Sequence, residues 1–199
     1  MGRWEPDARG RLAEAAMRLY QERGFDRTTV AEIAERAGLT ERTFFRYFAD
    51  KREVLFFGAA DLQRVIVESI AHAPARTAPL DAVAAGLEAI APGFEERRSF
   101  ARQRHALIVA HPELQEREVM KLTSLAAAAA EALRGRGVAE PAASLTAEAG
   151  ISVFKVAFEQ WIGDARRKSL GHHIRHSLRA LRTAVAGKPA RERTKQRHD

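Results

Sequence analysis

The chain of 199 residues contains no cysteine. That absence excludes a disulfide scaffold, thiolate metal sites and a cysteine nucleophile, and it suits a reducing cytoplasm. Glycine (13) and proline (7) are few and sit between periodic segments. No apolar run approaches the roughly 20 residues needed to cross a bilayer, so no membrane partner is expected. Residues 1–7 carry no apolar stretch of the signal-peptide kind, which points to a cytoplasmic protein. Strand-like alternation is missing, and no internal repeat stands out. What is present is 46% hydrophobic residues, enough for a sizeable core. Much of the rest is Glu and Arg, and with so much Ala and Leu the expected fold is all-α.

The net charge of +7 invites a nucleic-acid reading. Its distribution does not support one directly. Residues 165–199 hold 11 Lys/Arg against 2 Asp/Glu, whereas residues 1–50 balance 9 against 9. The basic excess belongs to the end of the chain, so motifs must locate any nucleic-acid site.

Helical spacing organises the whole sequence. Leu12, Ala15, Ala16, Leu19 and Tyr20 give a first helix over 7–23, stopped by Gly24. Thr29 and Glu32 form a capping box ahead of Val30, Ile33, Ala34 and Ala37. Gly38 ends that short helix. Thr40 caps a third, with Phe44, Tyr47 and Phe48 spaced for a buried side. Asp50 and Glu53 read as a second capping box that opens a long helix to about residue 73. Further helices are expected over 79–91, broken by Pro92-Gly93, and then over 95–110, 113–134, 144–163 and 170–186. Residues 188–199 read as a solvated basic tail. The expected domains are 1–50, a three-helix unit, and 51–187, a larger helical unit, followed by that tail.

Two short helices joined by Gly38-Leu39-Thr40 have helix-turn-helix spacing. The second is too short to bury much by itself. It makes sense as a presented element, held by Phe44 and Phe48 and exposing Glu41, Arg42, Thr43 and Arg46. Such a helix fits the major groove of B-DNA, with its N-terminal residues at base edges. The start of the preceding helix offers free N–H groups to a phosphate. On spacing alone, an ordinary α-hairpin in a bundle competes with this reading.

The residues decide between them. The stretch from Gly24 to Lys51, with its Thr28-Thr29-Val30, Ala37-Gly38-Leu39-Thr40, Tyr47-Phe48 and Asp50-Lys51, resembles the N-terminal domain of TetR-family transcriptional regulators. The resemblance covers about residues 9–55; the rest agrees only in its plan of helices. It implies an N-terminal helix-turn-helix domain, a C-terminal helical domain for effector binding and dimerisation, and a ligand-responsive repressor. The implied partners are a near-palindromic double-stranded DNA operator, a second copy of the chain and an unidentified small-molecule effector, with no cofactor. It places Thr28 and Thr29 on the phosphate backbone and Thr40, Glu41, Arg42 and Thr43 at base edges. Phe45 and Arg46 fall where sugar, thymine methyl or phosphate is touched, and Tyr47 and Lys51 where phosphate is contacted. Two residues depart from the common pattern. Arg42 adds a potential bidentate contact to guanine, and Phe45 lacks the hydroxyl of the usual tyrosine.

Other constellations carry less. His172, His173 and His176 suggest a metal, but a surface or interface cluster fits better without cysteine. Arg97, Arg98, Arg102 and Arg104 form either a phosphate patch or a helix face paired with Glu95 and Glu96. For an effector cavity, which the resemblance implies, the candidates are Phe94, His105, Met120, Phe154, Phe158, Glu159, Gln160 and Trp161. For the dimer interface they are Phe158, Ile162, Ile174, Leu178, Leu181 and Val185, on the last two helices. An enzyme is not expected, since no nucleophile–base pair, metal motif or phosphate loop stands out. A regulator acting as an activator, or one without a small ligand, stays open, as does a helix-turn-helix that binds protein.

Overall fold

A computed structural model describes residues 7–187, and among them every regular element is helical. The expected tail over 188–199 lies outside the described residues. The elements are α1 (Ala8–Arg23), α2 (Val30–Arg36), α3 (Glu41–Tyr47), a 3-10 turn (Glu53–Phe56), α4 (Ala59–His72), α5 (Pro79–Glu96), α6 (Arg98–Ala110), α7 (Pro112–Gly135), α8 (Ala142–Gly163) and α9 (Leu170–Val185).

The chain divides into two compact units. Among the described residues, one comprises 7–62 and 99–121, the other 63–98 and 122–187. The packing boundary therefore does not fall at residue 50. In the first unit Leu12, Leu19, Tyr20, Phe25, Ile33, Phe44 and Phe48 share one core with Val54, Leu55, Phe56, Ile108 and Leu114. The turn after α3 and a piece of chain from beyond residue 100 thus complete the core of the short N-terminal helices. In the second unit α5, α8 and α9 pack together. Gly150 of α8 lies so close to α5 that a Cβ there would meet Val83 Cγ1 at 2.3 Å. Valine is stiff at χ1 and cannot swing away freely. Gly150→Ala is expected to lower stability by about 1–3 kcal/mol through overpacking, read as a lower urea midpoint at unchanged slope.

Two expected helix boundaries need correction. The long helix over 51–73 is instead a 3-10 turn and α4, separated at Gly58, whose φ is +91°. Only half of the second capping box forms. The Asp50 carboxylate accepts from the N–H of Arg52 (2.8 Å) and of Glu53 (3.0 Å). The Glu53 carboxylate turns to Arg117 (2.7 Å) and Lys121 (3.1 Å). The second correction is at Pro92-Gly93, which does not end α5; the helix continues to Glu96. Its last turn is held from outside. Phe94 stacks against the aromatic side chains of α8, and Glu95 accepts from the N–H of Leu170 at the start of α9. These contacts offset the hydrogen bond that proline removes.

Candidate nucleic-acid interface

The helix-turn-helix is built from local rules. Thr29 and Glu32 form the complete capping box: the Glu32 N–H donates to Thr29 Oγ1 (3.2 Å), and the Thr29 N–H donates to Glu32 Oε2 (2.9 Å). That backbone N–H, with the Thr29 hydroxyl, holds the Glu32 carboxyl below the usual carboxylate range. The cap's contribution is therefore present above the carboxyl's ordinary pKa and is lost as pH falls through the lowered one. At the other end of α2, Gly38 adopts φ +67°, and the Leu39 N–H reaches back to Ala34 O at 2.8 Å. A left-handed residue here is needed for the tight turn, and glycine adopts it without cost. Arg11 of α1 donates to Ala37 O and Gly38 O, satisfying the helix end. Two ion pairs from α1, Arg36–Glu22 at 2.8 Å and Arg23–Glu32 at 2.6 Å, hold the same helix from its exposed side.

On α3 the division of faces is sharp. Phe44 is fully buried and Phe48 is 4% exposed. Thr40 caps the helix by accepting from the Thr43 N–H at 3.2 Å. Thr40, Glu41, Arg42, Phe45, Arg46 and Tyr47 are exposed, and Thr43 is half-buried. Phe45, at 55% exposure, is an apolar ring presented to solvent. The Arg46 guanidinium lies over the Tyr47 ring, 4.9 Å from its centre, and donates to the Tyr47 hydroxyl at 3.2 Å. Tyr47, expected on the buried side by spacing, is instead exposed, because Phe48 turns inward in extended backbone after the helix has ended.

Two residues expected at phosphate make their contacts within the subunit. The Thr28 side chain is 1% exposed, and its hydroxyl donates to Gly24 O at 2.8 Å, so it closes the α1–α2 loop. Lys51 directs its ammonium inward to the carbonyl oxygens of Phe25 (2.8 Å), Asp26 (3.1 Å) and Thr28 (2.9 Å). A lysine has three N–H donors, and these three bonds use them all. Thr29 is exposed, and its hydroxyl also donates to Glu32 at 3.0 Å.

The residues expected to line an effector cavity are divided between the two units. Phe94, Phe154, Phe158 and Trp161 do meet in the second unit, with ring centres 5.6–6.2 Å apart around Phe94. Trp161 is fully buried, and its Nε1 has no hydrogen-bond partner. Arg98 stacks on the Trp161 ring at 4.9 Å and donates to Trp161 O and Asp164 O. Glu159 and Gln160 point to the exposed side of α8, away from these rings. His105 and Met120 belong to the first unit, and Met120 is 64% exposed.

The residues expected at a dimer interface differ in their burial within the subunit. Ile174 (0% exposed), Leu178 (7%) and Phe158 (9%) are packed inside the subunit. Ile162 and Leu181 are half-buried, and Val185 is exposed. The large apolar residues exposed on α8 are Leu145 and Val156, neither of them among the expected interface residues. Their separation of 11 residues, three helical turns, would have shown that they share a face. Of the histidines, His173 pairs with Asp164 at 3.1 Å, and no group able to hold a metal occurs among the described residues. The arginine run is also spoken for in part: Arg104 donates to Leu55 O and pairs with Glu118 at 3.0 Å. No helix among the described residues is long and apolar enough to cross a membrane.

Known proteins share this arrangement. Residues 12–56 match the family model described as bacterial regulatory proteins, tetR family. Residues 77–186 match the model described as the MftR C-terminal domain. The HTH-type transcriptional regulator TcmR of Streptomyces glaucescens is 33% identical over 82 residues, which are 41% of this chain and 36% of TcmR. The match thus spans about a third of that relative's length. Among solved structures, FadR of Thermus thermophilus in complex with lauroyl-CoA is 23% identical, with 96% of this chain and 100% of that one covered at a TM-score of 0.53. A TetR-family regulator from Syntrophomonas wolfei is 14% identical, with 92% and 97% covered at 0.63. SmeT of Stenotrophomonas maltophilia in complex with triclosan is 17% identical, with 87% and 90% covered at 0.61. At these identities the structures establish the fold. The second family model alone spans more than half of the sequence, and together with the helix-turn-helix match it shows that this chain belongs to the TetR family of bacterial transcriptional regulators, DNA-binding proteins rather than enzymes.

Proposed function

We propose that the protein is a homodimeric repressor that reads a near-palindromic operator and releases it on binding an apolar effector. In this reading residues 1–50 bind DNA, and α3 of each subunit enters the major groove. The observation that carries it is the two-sided α3. Phe44 and Phe48 anchor it from within, and Thr40, Glu41, Arg42 and Phe45 face out together. Arg42 suits guanine O6/N7, and the Phe45 ring suits a thymine methyl. The stacked Arg46 and Tyr47 form a compact donor pair for phosphate. The effector reading is supported by the ligands of two neighbours, lauroyl-CoA with its apolar acyl chain in FadR and the apolar triclosan in SmeT. In this chain the rings of Phe94, Phe154 and Phe158 and the unpartnered indole N–H of Trp161 are the groups suited to such a molecule. Dimerisation is assigned to the outward face of α8, through Leu145 and Val156, with the half-buried Ile162 and Leu181 and the exposed Val185 at its margin.

The test is a titration of operator variants selected from a random duplex pool. Arg42→Ala is expected to cost about 1–3 kcal/mol on the wild-type operator and to relax preference at one base pair per half-site. Unchanged affinity and unchanged preference would remove α3 from the groove.

A further inference from the structure

Lys51 lies just beyond the helix-turn-helix, where a cation is readily taken for a phosphate ligand. Its surroundings give it a different task. The ammonium sits where the carbonyl oxygens of Phe25, Asp26 and Thr28 converge, at 2.8, 3.1 and 2.9 Å. It also lies 4.6 Å from the centre of the Phe25 ring, which is itself 3% exposed. The main chain of the same residue is fixed too, since the Tyr20 hydroxyl donates to Lys51 O at 2.6 Å. A phosphate could be reached only by giving up one of the three carbonyls. All three belong to the irregular segment that joins α1 to α2, where Phe25 O also accepts from the Thr28 N–H at 3.3 Å. The segment leads directly into Thr29, the cap of α2, and α2 supports the turn from which α3 projects.

We infer that Lys51 is a positioning residue for DNA binding: it sets the start of α2 through the 25–28 backbone and does not contact DNA phosphate. The inference rests on the DNA-binding reading above. The ammonium's compact, three-donor geometry is what the site uses. Arginine, a planar fork on a longer stem, does not direct three bonds to one converging point. Arginine would serve equally well as a phosphate ligand. Lys51→Met and Lys51→Arg therefore separate the two roles.

Binding to the selected operator is measured for the wild type and both variants over a range of salt. Both variants are expected to lose about tenfold or more in affinity, since hydrogen bonds to a charged group are lost. The slope of log affinity against log salt is expected to stay at the wild-type value. A phosphate ligand gives the reverse pattern. Lys51→Met then lowers the slope by about 0.9 per contact, and Lys51→Arg restores both affinity and slope. That pattern overturns the inference.

A second measurement uses the wild type alone and holds even if the variants do not fold. Amine-reactive labelling of the free protein is expected to modify Lys51 much more slowly than the exposed Lys168, which lies outside α8. Adding operator is expected to leave the rate at Lys51 unchanged. Rapid labelling in the free protein that is suppressed by operator overturns the inference. A wild type that binds no DNA at any salt is a different result: it refutes the regulator reading, while slow labelling of Lys51 would still verify the carbonyl lock.

Discussion

Phe44→Ala is expected to cost about 3–5 kcal/mol and to abolish operator binding, whereas Phe45→Ala next to it leaves stability within about 0.5 kcal/mol and still weakens binding. The two side chains are adjacent on α3 and differ in what they touch. Phe44 has no exposed surface and packs against Phe45 and Phe48, each 5.5 Å away between ring centres. It is the largest anchor of a helix of only seven residues. A helix that short has no independent stability, so losing the anchor releases the recognition surface. Phe45 is 55% exposed and contributes little to the core. Urea unfolding and an operator titration on both variants check the contrast. Equal destabilisation by the two would mean that α3 is packed with a different face inward.

Val156→Glu is expected to convert the dimer to monomers and to reduce specific DNA binding by about 10²–10⁴-fold, because two half-sites are no longer engaged together. Val156 is 47% exposed in the subunit, so a glutamate there is tolerated by the monomer. Across a two-fold seam it would bury an unpaired carboxylate facing its own copy, at a cost of about 3–5 kcal/mol. Leu178→Glu is expected to behave differently. That side chain is 7% exposed and belongs to the core, so the variant unfolds instead of dissociating. Sedimentation of Val156→Glu gives the answer directly. An intact dimer, at concentrations where the wild type is dimeric, removes this face of α8 from the interface.

What the sequence revealed and what it concealed follow from the range of the interactions. The Thr29–Glu32 cap, the Gly38 turn and the Thr40 cap depend on hydrogen bonds between residues at most five apart, and each forms as its pattern predicts. The helix expected over 51–73 failed because its deciding contacts are distant. Glu53 could have completed the second box, but Arg117 and Lys121, 64 and 68 residues away, draw its carboxylate elsewhere. Pro92 misled for the same reason, since the turn after it is held by Phe154, Phe158 and Leu170. On the candidate site, exposure of Glu41, Arg42 and Arg46 was legible from helical spacing, whereas Thr43, expected beside them, is half-buried and Phe45 entered only through the family resemblance. The inward turns of Thr28 and Lys51 were not. A short polar or charged side chain in a loop can face either solvent or a nearby carbonyl, and nothing in residue type distinguishes the two. The apolar stripe of α9 was legible as apolar, but periodicity does not say whether a stripe packs within the subunit or against a second copy.

The measurement closest to the central claim is an equilibrium titration of the wild-type protein against two duplexes of equal length at one fixed salt concentration. One carries the selected operator, with half-site centres about 34–36 Å apart or a multiple of that spacing, and the other a scrambled sequence. Affinity for the operator is expected to be higher by about 10³-fold or more, with two subunits bound per operator. Equal affinity for the two duplexes would contradict the central claim.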